Sequence, residues 1–374
     1  MLFILSIASG YGGAERSIET IMRHLPLGLP VRIYAEASEH IDQLSRPGCL
    51  PITATLLKVS TWTQNRRRIA AMRLVCDYER YRPTAILVNT NTSAIVAAMA
   101  AKIIPELGGV SHLYVRDFLW THLGLIFSRL RGARVLVPSQ AVLDRYGYLV
   151  PFYSKPYGPS ECEIIPDMVD LPSDGITMKY TGPILHLATI SPWKGHVFLM
   201  MAVYCLKAKG VTSIRVSSYG IVGDPFIKNS LASFIAQLHI DDCFFLGGYI
   251  SDPTPYLREC RAVVVSSVSH SGGPETFCRA IIEAWAFRKP VVAFSAGAPA
   301  QLINHEVDGL LVPEGNYEAL AAALQRLIES PDLCRKLGEA GYAKVAKSYQ
   351  SSQVTHQLLD YLGRCLNSDK THAI

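Results

Sequence analysis

Ala262-Val263-Val264-Val265-Ser266 runs into a short polar link and then into Gly272-Gly273-Pro274-Glu275-Thr276-Phe277-Cys278-Arg279-Ala280-Ile281-Ile282-Glu283-Ala284-Trp285. The opening run is apolar without alternation, which fits a strand buried on both faces in a parallel sheet. Two glycines and a proline stop it, and apolar residues then resume for a helix. This unit of strand, glycine-rich turn and helix repeats in both directions along the chain. Downstream, strands are expected at Val291–Phe294 and Leu310–Val312, then helices at Tyr317–Ile328, Asp332–Ser348 and Ser352–Cys365. Upstream, strands are expected at Cys243–Leu246, Ile214–Ser218 and Ile184–Ala188.

Between residues 151 and 183 the alternation breaks. Pro151, Pro156, Pro159, Pro166, Pro172 and Pro183 crowd this stretch with Gly158 and Gly175, which reads as irregular structure and an interdomain linker. Before it the alternation returns, with strands expected at Leu2–Ala8, Val31–Ala35, Ala85–Asn89, Val110–Val115 and Val135–Pro138. The helix after Gly13 carries Ile18, Ile21, Met22 and Leu25 as an apolar stripe, and Arg66–Tyr81 and Ala94–Ile104 are further helices. A chain of 374 residues is long enough for two cores. The expected fold is therefore α/β, with two doubly wound Rossmann-like domains at 1–170 and 171–350 facing each other across a cleft. The segment 351–374 is expected to be helical. In such sheets ligands bind at the carboxyl ends of the strands, so the loops there carry the chemistry.

Three of these loops stand out. Ser9-Gly10-Tyr11-Gly12-Gly13-Ala14-Glu15-Arg16 joins the first strand to the first helix, where glycines let backbone approach a ligand and a helix N-terminus attracts an anion. Its spacing is not the dinucleotide fingerprint GxGxxG. A tight turn without a ligand is the ordinary alternative. The loop after Ser266 offers the N–H groups of Thr276, Phe277 and Cys278, expected in the first helical turn, to a diphosphate. Glu275 and Glu283 would then stand about 12 Å apart along the helix, suiting a sugar at one end and a ribose at the other. Carboxylates accept two hydrogen bonds from a diol. The ordinary alternative is an amphipathic helix with Glu283 at a surface. The third loop, Thr189-Ile190-Ser191-Pro192-Trp193-Lys194-Gly195-His196, sets Lys194 just before a helix, either as a phosphate counter-charge or as a solvated turn lysine.

Composition limits the partners. The net charge of +5 is mild, and no aromatic-basic motif points to nucleic acid. Basic residues cluster at Arg66-Arg67-Arg68 and at Arg129, Arg131 and Arg134. A solvated helix face is the ordinary reading, and contact with anionic lipid headgroups or a phosphorylated acceptor is the sharper one. Nine cysteines without CxxC or metal-ligand spacing point to a reducing, cytoplasmic compartment, with Cys205 and Cys243 as core residues. No apolar run reaches the roughly 18 residues of a membrane span. The apolar start lacks a basic n-region and reads as a strand, not as a signal peptide.

Taken together, these residues resemble the family-4 retaining glycosyltransferases of the GT-B fold (glycosyl transferases group 1). The resemblance rests on Trp193-Lys194-Gly195, Phe245-Leu246-Gly247-Gly248-Tyr249, the EX7E pair Glu275 and Glu283, Lys289-Pro290-Val291-Val292-Ala293, Gly297-Ala298-Pro299 and Asp308-Gly309-Leu310-Leu311-Val312-Pro313. In the first half it is thinner: Gly12-Gly13-Ala14-Glu15-Arg16, Val135-Leu136-Val137-Pro138-Ser139 and Ile164-Ile165-Pro166. It implies transfer of a sugar from a nucleotide-diphosphate sugar to a glycan or lipid-linked acceptor in cell-surface polysaccharide synthesis, with peripheral contact at the cytoplasmic membrane face. It further implies that Glu275 holds the donor sugar, Glu283 the ribose and Lys194 the diphosphate. Gly12 and Gly13 would approach the phosphates, Gly247 and Tyr249 would flank the base, and Thr189, Thr276, Phe277 and Cys278 would line the donor. Glu15, Arg16, Arg116 and Asp117 fall on the acceptor side, Arg116 with a catalytic role beside Glu275 and Lys194. The resemblance also implies that the helical segment 351–374 crosses back to the first domain. Neither a metal nor another cofactor is implied.

Four positions depart from the family pattern. Thr189 replaces an arginine, Arg116-Asp117 replaces His-Asp, Asp167-Met168 replaces Asn-Gly, and Cys278 replaces a glycine. Thr189, Arg116 and Cys278 keep one alternative open, a non-catalytic sugar- or nucleotide-binding subunit; a nucleotide-sugar epimerase of GT-B type is a second alternative. His112 lies near Arg116 and reads as a buried structural histidine.

Overall fold

The computed structural model describes residues 1–118, 120–146, 162–173, 179–223, 225–270 and 273–371; the side chains of 146 and of 364–371 are not described. Gly272 and much of the proline-rich stretch (151–161 and 174–178) lie outside the described residues. The chain divides into two compact units, Met1–Met168 together with the stretch from Ser351 onward, and Val169–Gln350.

The first unit is built on a parallel sheet ordered β3-β2-β1-β4-β5-β6-β7. Its strands are β1 (Leu2–Ser6), β2 (Val31–Ala35), β3 (Ala54–Lys58), β4 (Ala85–Val88), β5 (Ser111–Tyr114), β6 (Arg134–Val137) and β7 (Cys162–Ile164). Side chains on a strand alternate between faces, and β1 shows the consequence. Phe3 and Leu5 join one apolar cluster while Leu2 and Ile4 join another on the opposite face. Both faces are covered, which is why these strands read as continuous apolar runs. The helix Ser351–Thr371 covers one face with Val354, Leu358, Tyr361 and Leu362, a stripe at i, i+4, i+7 and i+8. His112 is fully buried, and its ring meets that of Tyr361 edge-on with centroids 5.9 Å apart.

The second unit repeats the plan with the order β10-β9-β8-β11-β12-β13. Its strands are β8 (Ile184–Leu187), β9 (Val216–Tyr219), β10 (Phe244–Leu246), β11 (Ala262–Val265), β12 (Val291–Phe294) and β13 (Leu310–Val312). Ala262 and Val264 pack on one face, Val263 and Val265 on the other. All paired strands are parallel, with registers such as Val263 opposite Val291 and Ile184 opposite Ala262.

Sequence reading misses two strands, β3 and β7, for a shared reason. Both are edge strands without a single buried residue, whereas the edge strands β10 and β13, which are read, keep Phe244, Leu310 and Val312 buried. β7 is only three residues long and begins inside the stretch read as linker. Cys243 is buried as expected, whereas Cys205 is half-buried.

Candidate active site

β8 lies between β9 and β11, so the strand order of the second sheet reverses direction between β8 and β11. A crevice opens beyond the carboxyl ends of strands at such a switch point. The loops after β8 and β11 meet there and are tied together. Ser266 Oγ donates to the Lys194 carbonyl at 2.9 Å, and the Val268 N–H donates to the Trp193 carbonyl at 2.8 Å. Gly195 makes this approach possible. Its φ is +69°, and a Cβ there would lie 1.8 Å from the Ser266 carbonyl oxygen.

The tie brings Lys194 onto Glu275. Lys194 Nζ stands 2.5 Å from Glu275 Oε1, and Ser267 Oγ donates to the same oxygen at 2.7 Å. The two charged side chains are 15% and 9% exposed, so solvent screens the pair only weakly. Lys194 Nζ also lies 3.9 Å from the centroid of the Trp193 ring. A cation, a carboxylate and a hydroxyl thus converge at one strand switch.

The helix that follows corrects the sequence reading. It runs Arg279–Ala286 with Cys278 as its N-cap residue. Thr276, Phe277 and Cys278 precede it, so the first-turn N–H groups belong to Arg279 and Ala280, and Ile281 N already donates to the Cys278 carbonyl. Glu275 is therefore outside the helix, and the helical rise does not set its distance from Glu283. Glu283 is buried, with Arg279 Nε 3.4 Å from its Oε1 in an i,i+4 pair. The bend arises at Cys278, whose backbone is left-handed at φ +75° and ψ 81°. A non-glycine residue there costs about 1 kcal/mol or more. That accounts for a glycine being the family's residue at this position. Burial first, then the Glu275 charge, pushes the Cys278 thiol well above its usual pKa, so the group stays protonated. Cys278→Gly is expected to keep the melting temperature within a few degrees, since strain relief offsets the freer unfolded chain. Cys278→Val should lower stability by about 1–2 kcal/mol. Thermal denaturation of the two variants checks this.

The remaining donor candidates lie in loops of the same unit. Thr189 is exposed in the loop after β8. Gly247, at the end of β10, donates its N–H to the Ser218 carbonyl at 2.7 Å, and a Cβ on it would strike the Tyr219 ring. Tyr249 is exposed two residues on.

In the first unit, Gly12 caps the helix Gly13–His24, and its N–H donates to Glu15 Oε2 at 2.9 Å. Gly13 is exposed and Arg16 half-buried, while Glu15 is buried, and desolvation raises its pKa. Arg116 and Asp117 follow β5. Sequence reading set Arg116 toward an acceptor or a phosphate. Instead it is buried, its Nη1 is 2.5 Å from Asp167 Oδ1, and its guanidinium lies 3.9 Å from the Tyr114 ring centroid. Ser17 donates to the same carboxylate oxygen. Two of the departures from the family, Arg116 and Asp167, are thus in direct contact. Asp117 is half-buried.

Sequence reasoning missed Ser267, Arg279 and Asp167 as partners of Glu275, Glu283 and Arg116. Only the i,i+4 spacing of Arg279 to Glu283 was legible; Ser267 meets Glu275 within the irregular loop after β11, and Arg116 meets Asp167 from a separate loop. Among the described residues, no group of three or more His, Cys, Asp or Glu side chains could hold a metal ion.

Two buried histidines give the fold a pH dependence. Burial first, then the charge of Arg134, brings His112 to a pKa of about 4, and burial then Lys194 does the same for His196. An unfolded imidazole titrates near 6.5. Below that pH the unfolded chain takes up protons that the folded chain refuses. Stability is therefore full above about pH 6.5 and falls toward pH 4, by about 3 kcal/mol per histidine. The melting temperature should drop steadily over this range. A flat profile would contradict the burial of both rings.

Two parallel α/β units of this kind are the architecture of GT-B glycosyltransferases. Over 97% of this chain and 99% of the other, the structure matches Anabaena HepE in complex with UDP-glucose with a TM-score of 0.78 at 20% identity, a likeness of fold. Residues 181–344 match the family model of glycosyl transferases group 1, so this stretch, within the second unit, is a group 1 glycosyltransferase domain. The chain is 25% identical over 96% of its length to the N-acetylgalactosamine-N,N'-diacetylbacillosaminyl-diphospho-undecaprenol 4-alpha-N-acetylgalactosaminyltransferase of Campylobacter jejuni, covering 98% of that protein. It is also 30% identical to the amylovoran biosynthesis glycosyltransferase AmsK of Erwinia amylovora, over 48% of this chain and 44% of that one. These relatives support the transferase reading over a binding subunit or an epimerase.

Proposed function

We propose that this glycosyltransferase moves a sugar, with retention and without a metal, from a nucleotide-diphosphate sugar to a lipid-linked glycan at the cytoplasmic face of a membrane. The observation that carries the reading is the 2.5 Å contact of Lys194 with Glu275 at the β8/β11 switch. Lys194 neutralises the diphosphate and the dipole of the helix Arg279–Ala286 assists. Glu275, held by Ser267, takes hydroxyls of the donor sugar, and Glu283 the ribose. The backbone beside Gly247 and Tyr249 reads the base.

In the transfer, the bond from the anomeric carbon to the phosphate oxygen breaks. An acceptor hydroxyl oxygen bonds that carbon from the same face and passes its proton to the departing phosphate. No protein nucleophile is needed, and the lysine and helix N-terminus carry the charge a metal would otherwise hold. The Campylobacter relative is named for a diphospho-undecaprenol acceptor, which supports a lipid-linked acceptor here and thus a peripheral membrane location.

The test is a thermal-shift and donor-hydrolysis screen of UDP-, GDP- and dTDP-sugars, with and without EDTA. Stabilisation by one nucleotide class and EDTA-insensitive sugar release are expected. Absence of stabilisation by every nucleotide would overturn the donor site. NMR of the first-formed anomer tests retention.

A further inference from the structure

The helix Gln64–Tyr81 turns an unusual face to solvent. Trp62, just before its Thr63 cap, is 71% exposed, Ile69 is 68% exposed and Met72 is 48% exposed. Arg66, Arg68, Arg73 and Arg80 are exposed with them. Arg66, Arg73 and Arg80 recur every seventh residue, so they run in one row along about 21 Å of helix. The Arg66 guanidinium lies 4.5 Å from the Trp62 ring centroid. Of the two acidic residues on the helix, Asp77 points inward. It accepts from Tyr34 Oη at 2.8 Å, Arg32 Nη2 at 3.3 Å and Arg73 Nε at 3.0 Å. Only Glu79 opposes the arginines on the outer face of this helix.

A solvated helix face explains the arginines but not the exposed tryptophan, isoleucine and methionine among them. An acidic surface satisfies the charge and leaves the apolar side chains in water. The boundary of an anionic bilayer satisfies both, because guanidinium groups meet lipid phosphates while indole and aliphatic side chains enter the headgroup–acyl boundary. We propose that the Trp62–Arg66–Ile69–Met72 face of this helix docks the protein on anionic phospholipid. The docking deepens the reading of a membrane-borne acceptor and rests on it for its purpose, while its test does not involve transfer.

The full chain is sedimented with vesicles of phosphatidylcholine alone and with vesicles that also contain phosphatidylglycerol. Binding to the anionic vesicles, weakened by salt, is expected, with little binding to the neutral ones. Arg66→Gln with Arg68→Gln should bind about thirtyfold more weakly, roughly fivefold per arginine. Trp62→Ser with Ile69→Ser should lose binding even at low salt. Both double variants should keep the wild-type melting temperature and the wild-type thermal shift with the donor nucleotide. Wild type that fails to sediment with anionic vesicles, or sediments equally with neutral ones, overturns the proposal. So does wild-type binding by either double variant. A protein that binds vesicles yet no nucleotide would leave the docking standing and remove the donor site instead.

Discussion

Lys194→Ala is expected to slow sugar transfer by at least about a hundredfold to a thousandfold, the range for removing one preorganised charge from a developing oxyanion. The loss should fall on kcat as well as kcat/KM, because negative charge grows on the leaving phosphate only as the anomeric bond breaks. Lys194→Arg keeps the charge, but its planar fork does not match a point contact with Glu275 Oε1, so partial recovery is expected. Glu275→Gln should be comparably damaging by a different route. It removes the negative charge that the Lys194 ammonium meets at 2.5 Å and the Ser267 hydroxyl at 2.7 Å, leaving only a neutral amide there. Ser267→Ala leaves the ion pair and removes one hydrogen bond, worth about 1 kcal/mol, so a loss of about fivefold is expected. Rates with a saturating donor, measured beside melting temperatures, separate chemistry from folding. Wild-type rates for Lys194→Ala would remove Lys194 from the reaction.

The second large effect concerns stability in the first unit. Arg116 and Asp167 are both buried, so removing either partner takes a close opposite charge from the other. Arg116→Gln and Asp167→Asn should each cost about 3–5 kcal/mol. The double variant should cost far less than the sum, since neither charge remains, which amounts to a coupling of several kcal/mol. Urea denaturation of the four proteins closes the cycle. Additive losses would mean that the two groups do not depend on each other. The Ser17 hydroxyl also donates to Asp167, so Ser17→Ala should weaken the aspartate's hold more mildly, by about 1 kcal/mol.

The sequence by itself determined the interior strands, the main helices and the family. Runs such as Val263-Val264-Val265 and Val291-Val292-Ala293 are buried on both faces by a doubly wound sheet, and burial on both faces leaves a signal that needs no neighbours to read. Lys194 and Glu275 could be singled out because loop residues at strand ends carry ligand chemistry in this architecture, whereas Glu283 stands inside the helix Arg279–Ala286. Edge strands β3 and β7 were not legible, because none of their residues is fully buried.

Tertiary structure alone decided who partners whom. Ser267, Lys194 and Glu275 converge because β8 and β11 are adjacent, although 81 residues separate the lysine from the glutamate. It alone turned Arg116 inward onto Asp167, where its residue type had pointed outward to a ligand. It also began the helix at Arg279 rather than earlier, through the left-handed backbone of Cys278. Each of these is a contact or a dihedral set by distant chain. Local propensity carries no information about such features, whereas burial on both faces of a strand writes itself into consecutive residues.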